Sequence, residues 1–328
     1  MRVLSLTLFV PWLLPGPTAA VSLSDYPQLR TFVEDMANKH AMAQQQLSQW
    51  FERATIRQDI LHAINTPKEA LPWYEYRKLF VTKQSASRGQ RFWLSNADAL
   101  SRAWQDYGVD PATIVAIVGI ETQYGRNPGG FRVMDALTTL MLEYPKRSEF
   151  FRRELEEYLL LLQELNMDPF ELPGSYAGAI GIPQFIPSSY RQYAIDFDGD
   201  GQRNIVRSVA DSIGSVANFL KRHGWQKGGG VIEQIRLQGE FAAWLDKLDG
   251  KPMPSLRYLV SYGILPMRYN DVDQRAALIR LEDQEGPVYY LGYNNFYVIT
   301  RYNRSQNYAM AVYELSEWIR RLHKANAP

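Results

Sequence analysis

Glu121 closes the segment IVAIVGIETQYG, in which five of the seven residues from Ile114 to Ile120 are branched aliphatics. A run so apolar reads as a helix buried nearly all round. A carboxylate leaving its last turn is disfavoured twice as an anion, by desolvation and by the negative end of the helix dipole. Lifting a glutamic acid from about 4.3 to the 6–7 that suits a general acid takes about 3 kcal/mol of differential interaction, within reach of partial burial. Glu121 is therefore a candidate proton carrier near neutral pH. The same residues also fit a solvated glutamate in a frayed last turn, with Gly125 as an ordinary helix stop. These residues alone leave both readings open.

A second group with chemistry is DFDGDGQRNIVRSVAD, which opens with Asp196, Asp198, Asp200 and Gly201. This is the D-x-D-x-D-G start of an EF-hand calcium loop, with oxygen ligands at positions 1, 3 and 5 and glycine where the chain turns sharply. Three carboxylates so close repel one another unless a cation lies between them. Position 12, usually a bidentate Glu, is Arg207. Either the loop is longer and Asp211 closes it, or its affinity is weak. Without a metal, the segment would be an Asp-Gly turn cluster. His40, His62, His223 and His323 show no metal-ligand spacing, and His223 in KRHGW reads as a helix-end residue.

The chain that must position these groups has 328 residues, enough for a sizeable core and more than one structural unit. Its 36 Lys and Arg against 35 Asp and Glu leave no global field that would mark nucleic acid as a partner. There is no cysteine, which excludes disulfides, thiolate metal sites and thiol nucleophiles. The first twenty residues, MRVLSLTLFVPWLLPGPTAA, combine a basic Arg2, an apolar run from Val3 to Leu14 and a small-residue end. That is the pattern of a secretory signal cleaved between Ala20 and Val21. The run is short for a bilayer, Pro15 and Pro17 end it, and no cysteine follows to carry a lipid. A mature protein without a membrane anchor, outside the cytoplasm, is expected. No heptads or other assembly signal stand out, so a monomer is expected.

From about Ser24 to Tyr107 the sequence reads helical, with Phe32, Met36, Met42, Leu47 and Phe51 at helical spacing and a later aromatic group around Trp73, Tyr74, Tyr76 and Phe80. Asp110-Pro111 caps and starts the buried helix, which should end at Gly125. Helices are expected at about 134–142, in RSEFFRRELEEYLLLLQELN and at about 307–324. The segment LPGSYAGAIGIPQFIPSSY is a structured loop with a large apolar content, and such loops tend to line sites. From Val231 to Ile299, the runs GGVIEQIRLQG, LRYLVSYGI, AALIRLE and PVYYLGYNNFYVIT read as short strands.

The ordered blocks VGIETQYG, DALTTL, GSYAGAIGIPQFIPSSY, DFDGDG, IGSVANFLKRHGW and YNRSQNYAMAV resemble the membrane-bound lytic murein transglycosylase B family, from about Tyr76 to the last helix. The resemblance implies a mainly α (α+β) fold with a lysozyme-like core. By domains, it suggests a signal at 1–20, a helical domain at 21–110 joined by the helix 305–328, a catalytic core at 111–230 with its calcium loop at 196–211, and a small β-rich subdomain at 231–304. It makes Glu121 the single acid, then base, that cleaves the β-1,4 bond between N-acetylmuramic acid and N-acetylglucosamine in peptidoglycan. No water is added, and the product is a 1,6-anhydromuramoyl end.

The resemblance also assigns Ser175, Gln184, Tyr76, Tyr302, Asn303 and Tyr308 to substrate. It favours Ca2+ held by Asp196, Asp198, Asp200, the carbonyl of Gln202, and Asp211. Phe150 and Phe219 stand where relatives are expected to carry tyrosine. Tyr124 reads as packing below the helix end, and Ser175 and Gln184 would also fit local loop bonding. The partner implied is the glycan strand, and the place the periplasm. A hydrolytic muramidase would need a second carboxylate, for which Asp135 and Glu143 are candidates, neither expected to act. The other rival is a non-catalytic, calcium-dependent peptidoglycan-binding protein.

Overall fold

Pro111–Thr122 is a helix, and nine of its twelve residues are buried. Asp110 caps it by accepting from the Ala112 N–H at 2.8 Å, and Pro111 supplies a first-turn position that needs no donor. Arg320 holds the cap from outside through the other oxygen of Asp110. The helix packs against Gln306–Ala325, Lys83–Ser95, Ala97–Tyr107 and Val209–Arg222. Each Ile or Val it buries contributes about 1.5–3 kcal/mol.

The computed structural model describes residues 18–66, 68–237, 254–267 and 273–325, and its contacts divide the chain into two units. One unit joins the described part of Met1–Thr66 to Phe131–Glu171 and Tyr176–Gly178. The other holds Pro67–Gly130, Leu172–Ser175 and Ala179–Pro328. This partition does not coincide with the sequence-order blocks expected above, because the helices Val133–Glu143 and Ser148–Leu165 bury their apolar residues with the N-terminal segment. Of the expected signal, residues 1–17 lie outside the described residues. Thr18–Ala20 forms a strand paired antiparallel with Thr55–Arg57.

In the first unit, the helices Pro27–His40, Gln44–Arg53 and Gln58–Asn65 accompany Val133–Glu143, which is buried nearly all round. Two of its polar residues hold the strand Thr55–Arg57. The Thr55 N–H donates to Asp135 Oδ1 at 3.0 Å, and the Arg57 N–H donates to Thr139 Oγ1 at 3.1 Å.

In the second unit, the chain after Val231 forms a four-stranded antiparallel sheet in the order Ile264–Pro266, Ile232–Leu237, Gly286–Gly292, Ala277–Asp283. Two runs expected as strands differ. LRYLVSYGI begins as the helix Leu256–Ser261, capped by Ser255 Oγ, and only then gives a strand. NNFYVIT is the helix Asn294–Tyr302. Both are rich in β-formers, but burial of Leu256 with Leu259 and of Phe296 with Val298 and Ile299 overrides that propensity. The helical majority with small sheets agrees with the expected mainly α (α+β) class.

Candidate active site

The helix that carries Glu121 stops one residue later, at Thr122, earlier than Gly125. Gln123, Tyr124 and Gly125 then take φ of 51°, 66° and 80°, three left-handed residues in a row. Only the glycine adopts this without strain, so the turn must be held by its surroundings. The Gln123 and Tyr124 N–H groups donate back to Gly119 and Val118, and the Gly125 N–H donates to Thr122 Oγ1 at 2.9 Å. Tyr124 donates its hydroxyl to the Ser85 carbonyl at 2.8 Å, and its ring lies so close to Gly119 that a Cβ there would sit 2.6 Å from it. Tyr124 therefore packs below the helix end, as expected.

Thr122 is a residue that sequence reasoning missed. It is fully buried, and its hydroxyl donates to the Ile182 carbonyl at 2.9 Å while accepting from Gly125. It ties the end of the Glu121 helix to the Gly-rich loop. Its only sequence signal is a small polar residue next to Glu121 in an apolar helix.

The loop is irregular but saturated with backbone bonds, as a part-buried loop must be. Gly174, Ile180 and Phe185 form isolated bridges, and the Ile182 N–H donates to Ile205. Ser175 Oγ accepts from the Ala179 N–H at 3.0 Å. Gln184, with φ 53°, donates its amide to the carbonyls of Pro128 and Gly181, both at 2.9 Å. Ser175 and Gln184 thus both make local loop bonds. Gly129, at φ 101°, is needed where the two loops meet, since a Cβ there would lie 2.0 Å from the Gly174 oxygen.

Opposite Glu121 stands the last long helix. Tyr308 donates its hydroxyl to Glu121 Oε1 at 2.6 Å. The Tyr302 ring stacks on Tyr308 at 6.4 Å and 7°, and its hydroxyl donates to the Pro183 carbonyl at 2.5 Å. Burial, and after it the charge of Glu121, holds both phenols well above the usual 10. Both therefore remain donors at any physiological pH. Tyr76 is buried and close enough to add to that field at Tyr308. Asn303 follows Tyr302 in extended backbone at the helix end. Phe219 packs edge-on to Tyr302 at 4.9 Å and stacks on His223, which does end its helix. Phe150 belongs to the other unit, where Arg147 lies over its ring.

Asp135 and Glu143 are also in the other unit, and each is committed there. Asp135 is buried and accepts from Thr55 and, at 2.6 Å, from Arg132. Glu143 accepts from the Tyr26 hydroxyl at 2.7 Å.

In the acidic loop, Asp196, Asp198 and Asp211 each bring a carboxylate oxygen within 4.8 Å of the others. Calcium–oxygen distances of about 2.4 Å allow oxygens up to about 4.8 Å apart across one ion, so the donor set suits that cation. Asp200 stands outside this trio, accepting from the Gln202 N–H at 2.8 Å. Asp211 is fully buried and takes three backbone N–H groups, from Phe197, Asp198 and Asn204. Arg207 donates its backbone N–H to Asn204 Oδ1, and it is Asp211, past position 12, that stands with Asp196 and Asp198.

The family model described as "Transglycosylase SLT domain" matches residues 24–317. Membrane-bound lytic murein transglycosylase B of Escherichia coli is 42% identical over 301 residues, which are 89% of this chain and 82% of that protein. The crystal structure of the soluble lytic transglycosylase SltB1 from Pseudomonas aeruginosa is similar with a TM-score of 0.84 and 45% identity, covering 91% of this chain and all of that one. The E. coli lytic transglycosylase Slt35 in complex with calcium also gives a TM-score of 0.84, at 40% identity over 94% of this chain and 97% of that one.

Proposed function

From the premise that this chain belongs to the transglycosylase SLT domain family, we propose that Glu121 is the acid and base of a lytic murein transglycosylase with a lysozyme-like core. Glu121 donates its proton to the oxygen of the β-1,4 bond between N-acetylmuramic acid and N-acetylglucosamine, and that C–O bond breaks. As a carboxylate, it then takes the proton of the muramoyl C6 hydroxyl while O6 bonds to the anomeric carbon. The products are a free N-acetylglucosamine end and a 1,6-anhydromuramoyl end, with no water consumed.

One observation carries this reading: a carboxylate at the end of a buried helix, to which the Tyr308 hydroxyl donates at 2.6 Å. One carboxylate is enough because the nucleophile is part of the substrate. A hydrolase would pair two, and the structural bonds of Asp135 and Glu143 speak against either as the partner. Tyr76, Tyr302, Asn303 and Tyr308 form the sugar-facing shell, since tyrosine offers both a flat apolar face and a polar edge. Ser175 and Gln184 join that shell from the loop that their local bonds brace.

Asp196, Asp198 and Asp211, with Asp200 and the Gln202 carbonyl, are proposed to hold a structural Ca2+. When bound, the ion neutralises the carboxylates and braces the start of Val209–Arg222, the helix that brings Phe219 against Tyr302. The substrate and the expected signal support a periplasmic location. Among the described residues, no helix is long and apolar enough to cross a membrane.

Mass spectrometry of material released from purified sacculi tests the reading. Muropeptides ending in anhydromuramic acid, one water lighter than hydrolysed ends, are expected from the native protein and not from Glu121→Gln. Reducing muramic acid ends would mean hydrolysis. Binding without release would leave a calcium-dependent binding protein.

A further inference from the structure

A pocket of about 480 Å³ opens where the start of the helix Trp73–Phe80, the edge strand Ala277–Asp283 and the segment Arg304–Asn307 meet. Two of these elements run on into the proposed sugar-facing shell. Tyr76 follows Trp73 by one turn, and Tyr308 follows Asn307 on its helix. Asn303 precedes Arg304.

The polar groups of the wall differ in what they already hold. Arg280 pairs with Glu282 at 2.6 Å, Asn307 Nδ2 donates to the Leu71 carbonyl at 2.9 Å, and Ser305 Oγ accepts from the Tyr308 N–H at 3.2 Å. Among the described residues, the side chains of Arg304 and Gln306 find no hydrogen-bond or ion-pair partner. Two guanidinium groups against one carboxylate leave the wall with one net positive charge, at Arg304. A guanidinium fork next to a side-chain amide is the donor set that takes a carboxylate and an adjacent peptide group.

The glycan backbone of murein has no use for such a cation, but the peptide attached to each muramoyl residue carries carboxylates. We propose that this pocket receives an acidic group of the peptide stem on the strand being cleaved, and that Arg304 sets a preference for acidic stems. The proposal rests on the murein reading above.

The test uses glycan oligomers bearing acidic stems and the same oligomers with the stem carboxyl groups converted to amides, with the native protein, Arg304→Ala and Arg304→Lys. Arg304 is exposed, so both variants should melt with the native protein. The native enzyme should show a KM about fivefold lower for acidic stems at equal kcat, as expected of one partly solvated charge pair that binds substrate and transition state alike. Arg304→Ala should lose that preference, Arg304→Lys should keep part of it, and added salt should weaken it. Equal KM values for the native enzyme, or an undiminished preference in Arg304→Ala, would overturn the proposal while leaving cleavage intact. If neither oligomer is cleaved by the native protein, the murein reading itself fails and this inference goes with it.

Discussion

Glu121 and Asp211 are both carboxylates at helix ends, but at opposite ends of their helices. Glu121 leaves the carbonyl end of Pro111–Thr122, where a phenol, Tyr308, donates to it. Asp211 enters the first turn of Val209–Arg222, fully buried, and three backbone N–H groups converge on it. Helix polarity therefore separates the two uses. A carboxylate at the negative end, met by a neutral phenol, suits a proton carrier, whereas one on which backbone N–H groups converge suits a structural anchor. On the proposed reading, the same side-chain chemistry serves catalysis in one place and architecture in the other.

The comparison can be broken most decisively at Glu121. Replacing it with Gln keeps the shape and removes the proton, so release of anhydromuropeptides should fall by about 10²–10⁴-fold with an unchanged melting temperature. At Asp211, the same kind of exchange should do the reverse. Asp211→Asn loses an acceptor that buried backbone donors need, and chemical denaturation should show a loss of about 3 kcal/mol. Asp198→Asn sharpens the contrast: Asp198 is exposed, so calcium-free stability should change by under about 1 kcal/mol. The stabilisation by calcium, about 2.7 kcal/mol at a hundredfold excess over Kd, should nevertheless disappear. A native protein whose melting temperature ignores both calcium and a chelator would remove the metal from this account.

A smaller effect is expected at Tyr308. Tyr308→Phe leaves the stacked ring and deletes only the bond to Glu121, and kcat should fall about tenfold with KM nearly unchanged. An unaltered kcat would mean that Glu121 is oriented by something else. The smallest effect concerns alkaline stability. Tyr302 and Tyr308 are held well above 10 in the folded protein by burial and by Glu121. Above pH 10, the unfolded chain sheds phenolic protons that the folded chain keeps, so the folded state binds more protons and stability falls as pH rises. The urea midpoint should drop between pH 9 and 11, and by less in Tyr308→Phe.

Periodicity and caps were enough to place the buried helix, its start at Pro111 and the helical blocks around 134–142 and 307–324, because these signals are local. They failed at LRYLVSYGI and NNFYVIT, where burial of a few side chains outweighs β propensity. They also missed Thr122, whose importance depends on a carbonyl 60 residues away at Ile182.

The residue types and their order alone determined which groups have chemistry to offer: a glutamate ending an apolar helix, an aspartate-rich loop with a misfit at Arg207, and a tyrosine-rich last block. Only the tertiary structure decided how they are used. It set Tyr308 against Glu121 across 187 residues, turned the Gln184 amide inward to brace a loop, and brought Asp211 back to Asp196 and Asp198. The physical reason is range. Helix formation and capping are settled within a few residues, whereas the partner of a carboxylate is settled by whatever packing brings within 3 Å of it.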